Sequence, residues 1–305
     1  SKYLKGRGQK LKIAVTGATG FIGSSLCRRL ALAGYEVVAL ARDPSRAGKL
    51  PPNVTAVAGD ITESDSLAEA FRGCTVVMNL VGIIREVGKA TFQRVHAEGT
   101  RNVVRAAEAA GVTRLVQMSA VGTRPNATSR YHQTKWAGEE SVRTSKLEWV
   151  IIRPSLVFGK GDGFTTTLID LIRKAPIIPV IGSGRNLMQP IAVEDVTAIF
   201  LAVTEGEEHI GKTYEIGGPE HLPYRQIVRM IARQLGSRKP LVSVPIALMS
   251  PVAGVMSRLT SRFPLTPDQL AMLKEDNIAN PNQAETVFNL NLVNFSEGLK
   301  KMLAG

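Results

Sequence analysis

From residue 11 onward the chain alternates short apolar, β-branched runs with segments of helical period, and this alternation constrains the fold more than any other feature. Residues 11–16 form an apolar run, Ile22, Leu26 and Leu30 recur at i, i+4 and i+8, and residues 36–41 return to a β-branched run. That is a β-α-β unit. Further strands are predicted at 54–58, 76–81, 114–119 and 149–153, separated by helical segments such as 91–110. Strands joined through helices pair in parallel, and right-handed crossovers then give an α/β doubly wound sheet.

After Pro154 the alternation loosens, with Gly and Pro punctuating 159–163, 176–184 and 217–223. A strand at 213–217 is expected to return to the sheet, while 224–235 and 245–263 read as helices of a smaller lobe. The expected organisation is a basic arm at 1–10, a doubly wound core at 11–158 and a mixed region at 159–305. That region returns to the core at about 190–218 and forms a substrate lobe at about 159–189 and 219–305. A length of 305 residues suits one large domain with such a lobe.

The run Thr16-Gly17-Ala18-Thr19-Gly20-Phe21-Ile22-Gly23 places a GxxGxxG pattern between the first strand and the first helix. Gly17 permits the tight turn, Gly20 lets backbone N–H groups approach a pyrophosphate, and Gly23 lets the helix pack closely on the sheet. A bare glycine-rich turn means little. Inside a β-α-β unit it marks a Rossmann-type dinucleotide site.

An acidic residue at the end of the second strand would accept from the ribose hydroxyls of NAD, and Ala41 stands there instead. Arg42 follows, and its guanidinium suits a ribose 2′-phosphate, so NADP(H) is expected ahead of NAD(H). Asp43 keeps the other assignment open. Asp60-Ile61 after the third strand and Leu80-Val81-Gly82 after the fourth lie at strand ends where such sheets bind ligand. Asp60 reads equally as an adenine contact or as a cap for the helical segment 64–71.

Tyr131 and Lys135 stand four apart in a helical segment at 129–142 and share a face. The expectation is that Lys135 lowers the phenol pKa and holds the nicotinamide ribose, while Tyr131 exchanges a proton with a carbonyl. Metal chemistry has no support: His96, His132, His209 and His221 show no convergent spacing, and Cys27 and Cys74 read as reduced core thiols in a helix and at a strand start. Glu194-Asp195 reads as a helix N-terminus.

TGATGFIG, the NLVG turn, YHQTK and the RPS stretch at 153–155 together resemble extended or atypical short-chain dehydrogenase/reductases, the NAD(P)-dependent epimerase/dehydratase group. GIIREVG, RVHAEGTRNV, SRYHQTKWAGEE, RPSLVFGKGDGF, QPIAVEDV and YEIGGPE are more specifically similar to bacterial relatives of the NADPH-binding accessory subunit of mitochondrial respiratory complex I. The resemblance implies cofactor contacts from Ser119, Tyr131, Lys135, Pro154 and Ser155, with Ser119, Tyr131 and Lys135 as the catalytic set. It also implies two functions: an oxidoreductase or epimerase/dehydratase, or a non-catalytic NADPH-holding subunit of a larger assembly. The chain departs from the pattern at Ala120 and Val121, where the group carries a substrate-orienting hydroxyl. Thr123 is the available substitute.

Net charge is +12, but Lys2, Lys5, Arg7, Lys10 and Lys12 account for five cations without an acid among them. A solvated arm is the plain reading, and aromatic interleaving for single-strand nucleic acid is absent. No run approaches the roughly 18 to 20 apolar residues that span a bilayer, so a soluble or peripheral protein is expected. The expected compartment is the cytoplasm, or an organelle matrix if a targeting segment has been removed. The expected partners are a small-molecule substrate, a protein assembly or an anionic membrane surface. The last idea rests on residues 245–263, an apolar segment interrupted by Pro251 and followed by Arg258 and Arg262. It reads as a helix pair covering the cleft or as an exposed docking face.

Overall fold

β-branched runs become strands and the i, i+4 patterns become helices across the first half of the chain. A computed structural model describes residues 11–48, 50–259 and 266–304. The expected arm at 1–10 lies outside them. The first half comprises β1 (Lys12–Thr16), α1 (Phe21–Leu32), β2 (Glu36–Ala41), β3 (Val54–Ala58), a short α2 (Leu67–Ala70), β4 (Val76–Asn79), α3 (Gly99–Ala109), β5 (Arg114–Met118), α4 (Arg130–Arg143) and β6 (Glu148–Pro154). The second half continues with β7 (Val157–Phe158), α5 (Gly163–Lys174), β8 (Ile178–Ile181), β9 (Leu187–Met188), β10 (Ile191–Ala192), α6 (Val193–Ala202), β11 (Lys212–Ile216) and β12 (Leu222–Pro223). It ends with α7 (Tyr224–Gln234), β13 (Leu241–Val244), α8 (Ile246–Leu259), α9 (Pro267–Met272), α10 (Gln283–Thr286) and α11 (Phe295–Ala304).

The main sheet has the order β11-β6-β5-β4-β1-β2-β3. The pairs from β6 through to β3 are all parallel. Strand order reverses at β1 and β4, and in such sheets the crevice outside the carboxyl ends of those strands takes the ligand. The strand at 212–216 does return to the sheet, as its pattern predicts.

Two compact units divide the chain. The first holds residues 11–126, His132–Arg153 and Val196–Tyr214. Its core includes Leu67, Phe71, Val77, Val103, Leu115 and Ile151, each fully buried. Arg114 is also fully buried: it donates to the carbonyls of Val203, Thr204 and Gly206 at 3.0–3.1 Å and to Glu148 at 3.0 Å, so one cation satisfies the carbonyl end of α6.

The second unit holds Ala127–Tyr131, Pro154–Asp195 and the described residues from 215 onward. Here α7 buries Tyr224, Ile227, Val228, Ile231 and Ala232, an i, i+3, i+4, i+7, i+8 stripe packed with residues of α5 and α11. Each fully buried Ile or Val on that stripe contributes about 1.5–3 kcal/mol.

The structure corrects four local expectations. The segment 91–110 opens on a wide π turn at Gln93–Glu98 before α3 begins, which turns His96 inward. Residues 64–71 form a tight 3₁₀ turn followed by the single-turn α2, because Asp60 and Ser66 tie the chain back on itself. Cys74 precedes β4, and its sulfur lies against the Ala70 carbonyl. Pro251 does not split 245–263 into a pair, since α8 runs through it from Ile246 to Leu259, with Ile246, Met249 and Ala253 facing inward. Residues 260–265, Arg262 among them, and the Arg258 side chain lie outside the described residues.

Candidate active site

A left-handed residue starts the turn off β1, where Gly17 has φ +68°, a region open to glycine at little cost. A side chain at Gly23 would strike the Gly17 carbonyl, so α1 can close on the turn only with glycine there. Gly20 is the N-cap, with its amide donating to the Gly17 carbonyl at 3.0 Å. No side chain caps α1 and no acid occupies its first turn, so its leading amides and dipole are left for an anion. Thr19 and Gly20 are exposed, while Phe21 and Ile22 are half-buried.

Beneath that turn runs a polar ladder that sequence reasoning missed. Thr16 Oγ1 donates to Asn79 Oδ1 at 2.6 Å and accepts from the Leu80 amide at 3.2 Å, and Asn79 Nδ2 donates to Gln117 Oε1 at 2.8 Å. All three side chains are buried at the ends of β1, β4 and β5. The signal was a polar residue near the end of each otherwise apolar strand. The ladder fixes where the following segments, 17–23 and 80–82, leave the sheet.

Gln117 Nε2 donates to the Met118 carbonyl at 2.9 Å, and Lys135 Nζ reaches the same carbonyl at 3.4 Å. A Cβ built on Gly82 would stand 3.0 Å from Lys135 Nζ and 3.7 Å from His96 Nε2, so the Leu80-Val81-Gly82 segment and Lys135 meet at Gly82. Burial lowers the Lys135 pKa to about 8, partly offset by Glu139. The same burial, reinforced by the Lys135 charge, pushes His96 down to about 2, so it is a neutral ring that accepts from the Ile83 amide at 3.1 Å. His96 Nδ1 lies 3.1 Å from Thr134 Oγ1.

Tyr131 sits one turn before Lys135 on α4. Asp268 caps that end of the helix, accepting from the amides of Arg130 at 2.8 Å and Tyr131 at 3.2 Å. Burial first, and the Asp268 charge second, push the phenol up to about 12. The expected lowering by Lys135 is overridden, and the group is a protonated acid at neutral pH. α4 itself is anchored by Glu139, whose fully buried carboxylate holds Arg153 at 2.7 Å and Arg143 at 2.5 Å.

Ser119 Oγ lies 3.4 Å from Thr123 Oγ1, which lies 3.3 Å from His132 Nδ1. These buried groups form one chain at the end of β5, with Thr123 engaged between its neighbours. Arg42 is exposed after β2 and has no partner among the described residues. Asp43 accepts from the Ser45 amide at 3.1 Å and hydroxyl at 2.5 Å, so its carboxylate closes a local turn. Asp60 likewise binds the Thr62 amide and hydroxyl, each at 2.8 Å, and Ile61 is buried. In the second unit Pro154 and Ser155 are buried, and the Ser155 hydroxyl donates to the Gln189 carbonyl. Among the described residues no cluster of His, Cys, Asp or Glu could hold a metal, and no helix is long and apolar enough to cross a membrane.

Known proteins resemble this chain in sequence and in fold. The sequence profile of the NAD dependent epimerase/dehydratase family matches residues 13–217. A ceramide reductase of Caulobacter vibrioides is 31% identical over 238 residues, covering 76% of this chain and 73% of that protein. The mitochondrial NADH-ubiquinone oxidoreductase 40 kDa subunit of Neurospora crassa is 27% identical, covering 91% of this chain and 74% of that protein. Among solved structures, dTDP-glucose 4,6-dehydratase from Streptomyces venezuelae, with NAD and TYD bound, superposes with a TM-score of 0.76 at 21% identity over 96% of each chain, a likeness of fold. The glycine turn at the β1/β4 reversal and the family match over both strands lead to one assignment: the chain belongs to the NAD-dependent epimerase/dehydratase family.

Proposed function

We propose that the chain binds NADP(H) and reduces a carbonyl, with Tyr131 as proton donor and Lys135 as the cation beside it. The observation that carries this reading is the placement of Lys135, whose ammonium lies against Gly82 and Met118 at the end of the strands that follow the glycine turn. The residues fit a dinucleotide: an uncapped helix end and close-packed glycines for the pyrophosphate, Arg42 for a 2′-phosphate, and an opening at Gly82 that any side chain would fill.

When bound, the nicotinamide supplies or accepts a hydride. The chain's own residues handle the proton. A phenol held near pKa 12 gives its proton to a carbonyl oxygen as negative charge develops there, and the neighbouring ammonium stabilises the phenolate left behind. Lys135 loses its charge as pH rises through about 8, so turnover should decline across that range. The relative named ceramide reductase supports an apolar carbonyl substrate.

A second reading keeps the nucleotide and drops the turnover. It is favoured by Ala120 and Val121, which carry no hydroxyl, by the engagement of Thr123 with Ser119 and His132, and by the similarity to complex I subunits. A screen of apolar ketones with NADPH, run on the parent and on Tyr131→Phe, separates the two. Turnover that falls roughly 10²-fold or more in the variant, with nucleotide affinity kept, supports the enzyme. Retained nucleotide with no turnover of any ketone supports the scaffold.

A further inference from the structure

The second unit contains an open hollow of about 500 Å³ that the proposed reaction does not use. Arg185 lines it from the loop between β8 and β9, Arg225 and Arg229 line it from α7, and Ser183, Gln226 and Ser243 add to its polar wall. Among the described residues no carboxylate lines it. Arg225 is fixed in place: its guanidinium donates to Ser243 Oγ at 2.8 Å and the Leu241 carbonyl at 3.2 Å, and its amide donates to the Gly184 carbonyl at 2.9 Å. Arg185 and Arg229 are exposed, and neither side chain has a partner among the described residues.

This placement works against stability. Arg225 puts a cation in the first turn of α7, at the positive end of the helix dipole, where no acid and no capping side chain offsets it. Arg229 follows at i+4, so two like charges share one face of the helix. Arg185 brings a third cation to the same hollow. Arg225 ties α7 to β13, whereas the Arg185 and Arg229 side chains have no partner among the described residues, and the buried stripe of α7 is made by Tyr224, Ile227, Val228 and Ile231. Where Arg185 and Arg229 bring like charge beside Arg225 without such compensation, a binding site is the physical reason to look for.

We infer that this hollow binds a phosphoryl group. Donors converge from a loop, a helix and a strand, which suits the tetrahedrally arranged oxygens of a phosphate better than the two coplanar oxygens of a carboxylate. The volume is many times the ~30 Å³ share of one water, which leaves room for a ligand with a second phosphate or an organic part. That chemistry has two sources, a soluble phosphorylated compound or a phospholipid headgroup.

The test pairs titration of the full chain with inorganic pyrophosphate, in excess NADPH, with sedimentation on phosphatidylcholine vesicles with and without phosphatidic acid. The variant is Arg185→Ala with Arg229→Ala, checked for folding by thermal melting and by unchanged NADPH affinity. Pyrophosphate binding that weakens roughly a hundredfold in the double variant supports the site with a soluble ligand. Phosphatidic acid-dependent sedimentation that the double variant loses supports it with a lipid. If the parent binds neither probe, or the double variant binds as the parent does, the inference is overturned.

Discussion

In the first unit parallel strand ladders satisfy the backbone of the sheet, and the Thr16–Asn79–Gln117 side-chain ladder crosses the strand ends. In the second unit the strands are two to four residues long, and side chains hold the backbone. Gln189 donates to the Gly218 carbonyl at 2.8 Å and accepts from the Ala279 amide at 2.7 Å, Asn277 Oδ1 accepts from the Leu156 amide at 2.7 Å, and Asn282 bonds both polar groups of Gly217 at 2.9 Å. A periodic sequence can specify the first kind of structure locally. The second needs single residues placed correctly across large sequence separations.

That contrast predicts different failures. Glu139→Ala leaves Arg153 and Arg143 without the buried carboxylate that anchors α4, and should cost about 3 kcal/mol in urea unfolding, with protection lost across the sheet. Gln189→Ala strands the buried Ala279 amide and leaves the Gly218 carbonyl only a 3.3 Å bond from Asn282, and should cost about 2 kcal/mol. Its signature is local: hydrogen exchange should speed at Gly218 and Ala279 while β1, β4 and β5 stay protected. Global loss of protection in the Gln189 variant would break the distinction.

A smaller effect comes from His96, held near pKa 2 against an ordinary value of 6.5. Because the unfolded chain takes up this proton first, stability is whole above pH 6.5 and falls by about 1.4 kcal/mol per pH unit as acid is added, until the folded ring also protonates. His96→Gln should flatten that slope by one proton's worth between pH 6 and about 5, read from unfolding at each pH. An unchanged slope would mean the ring is solvated.

The same contrast explains what was legible beforehand. β2 and β3 match their expected bounds, and α1 shows the predicted buried stripe at Leu26 and Leu30, because alternation and period are local properties. The glycine turn was legible for the same reason. His96 was not, because its position depends on a π turn that no period announces, and Gln189, Asn277 and Asn282 look like ordinary polar residues until their distant partners are known. The basic hollow was hidden likewise, since Arg185 and Arg225 are brought together by the Gly184–Arg225 backbone contact.

The central proposal is that Arg42 selects NADP(H) over NAD(H) at the site the glycine turn forms. Calorimetric titration of the parent and of Arg42→Ala with NADPH and NADH tests it directly. The account predicts tighter NADPH binding in the parent and a gap that narrows by about 1.5–3 kcal/mol in the variant, the scale of a charge-assisted hydrogen bond. Equal affinity for both nucleotides in the parent, or a gap that Arg42→Ala leaves intact, would contradict it.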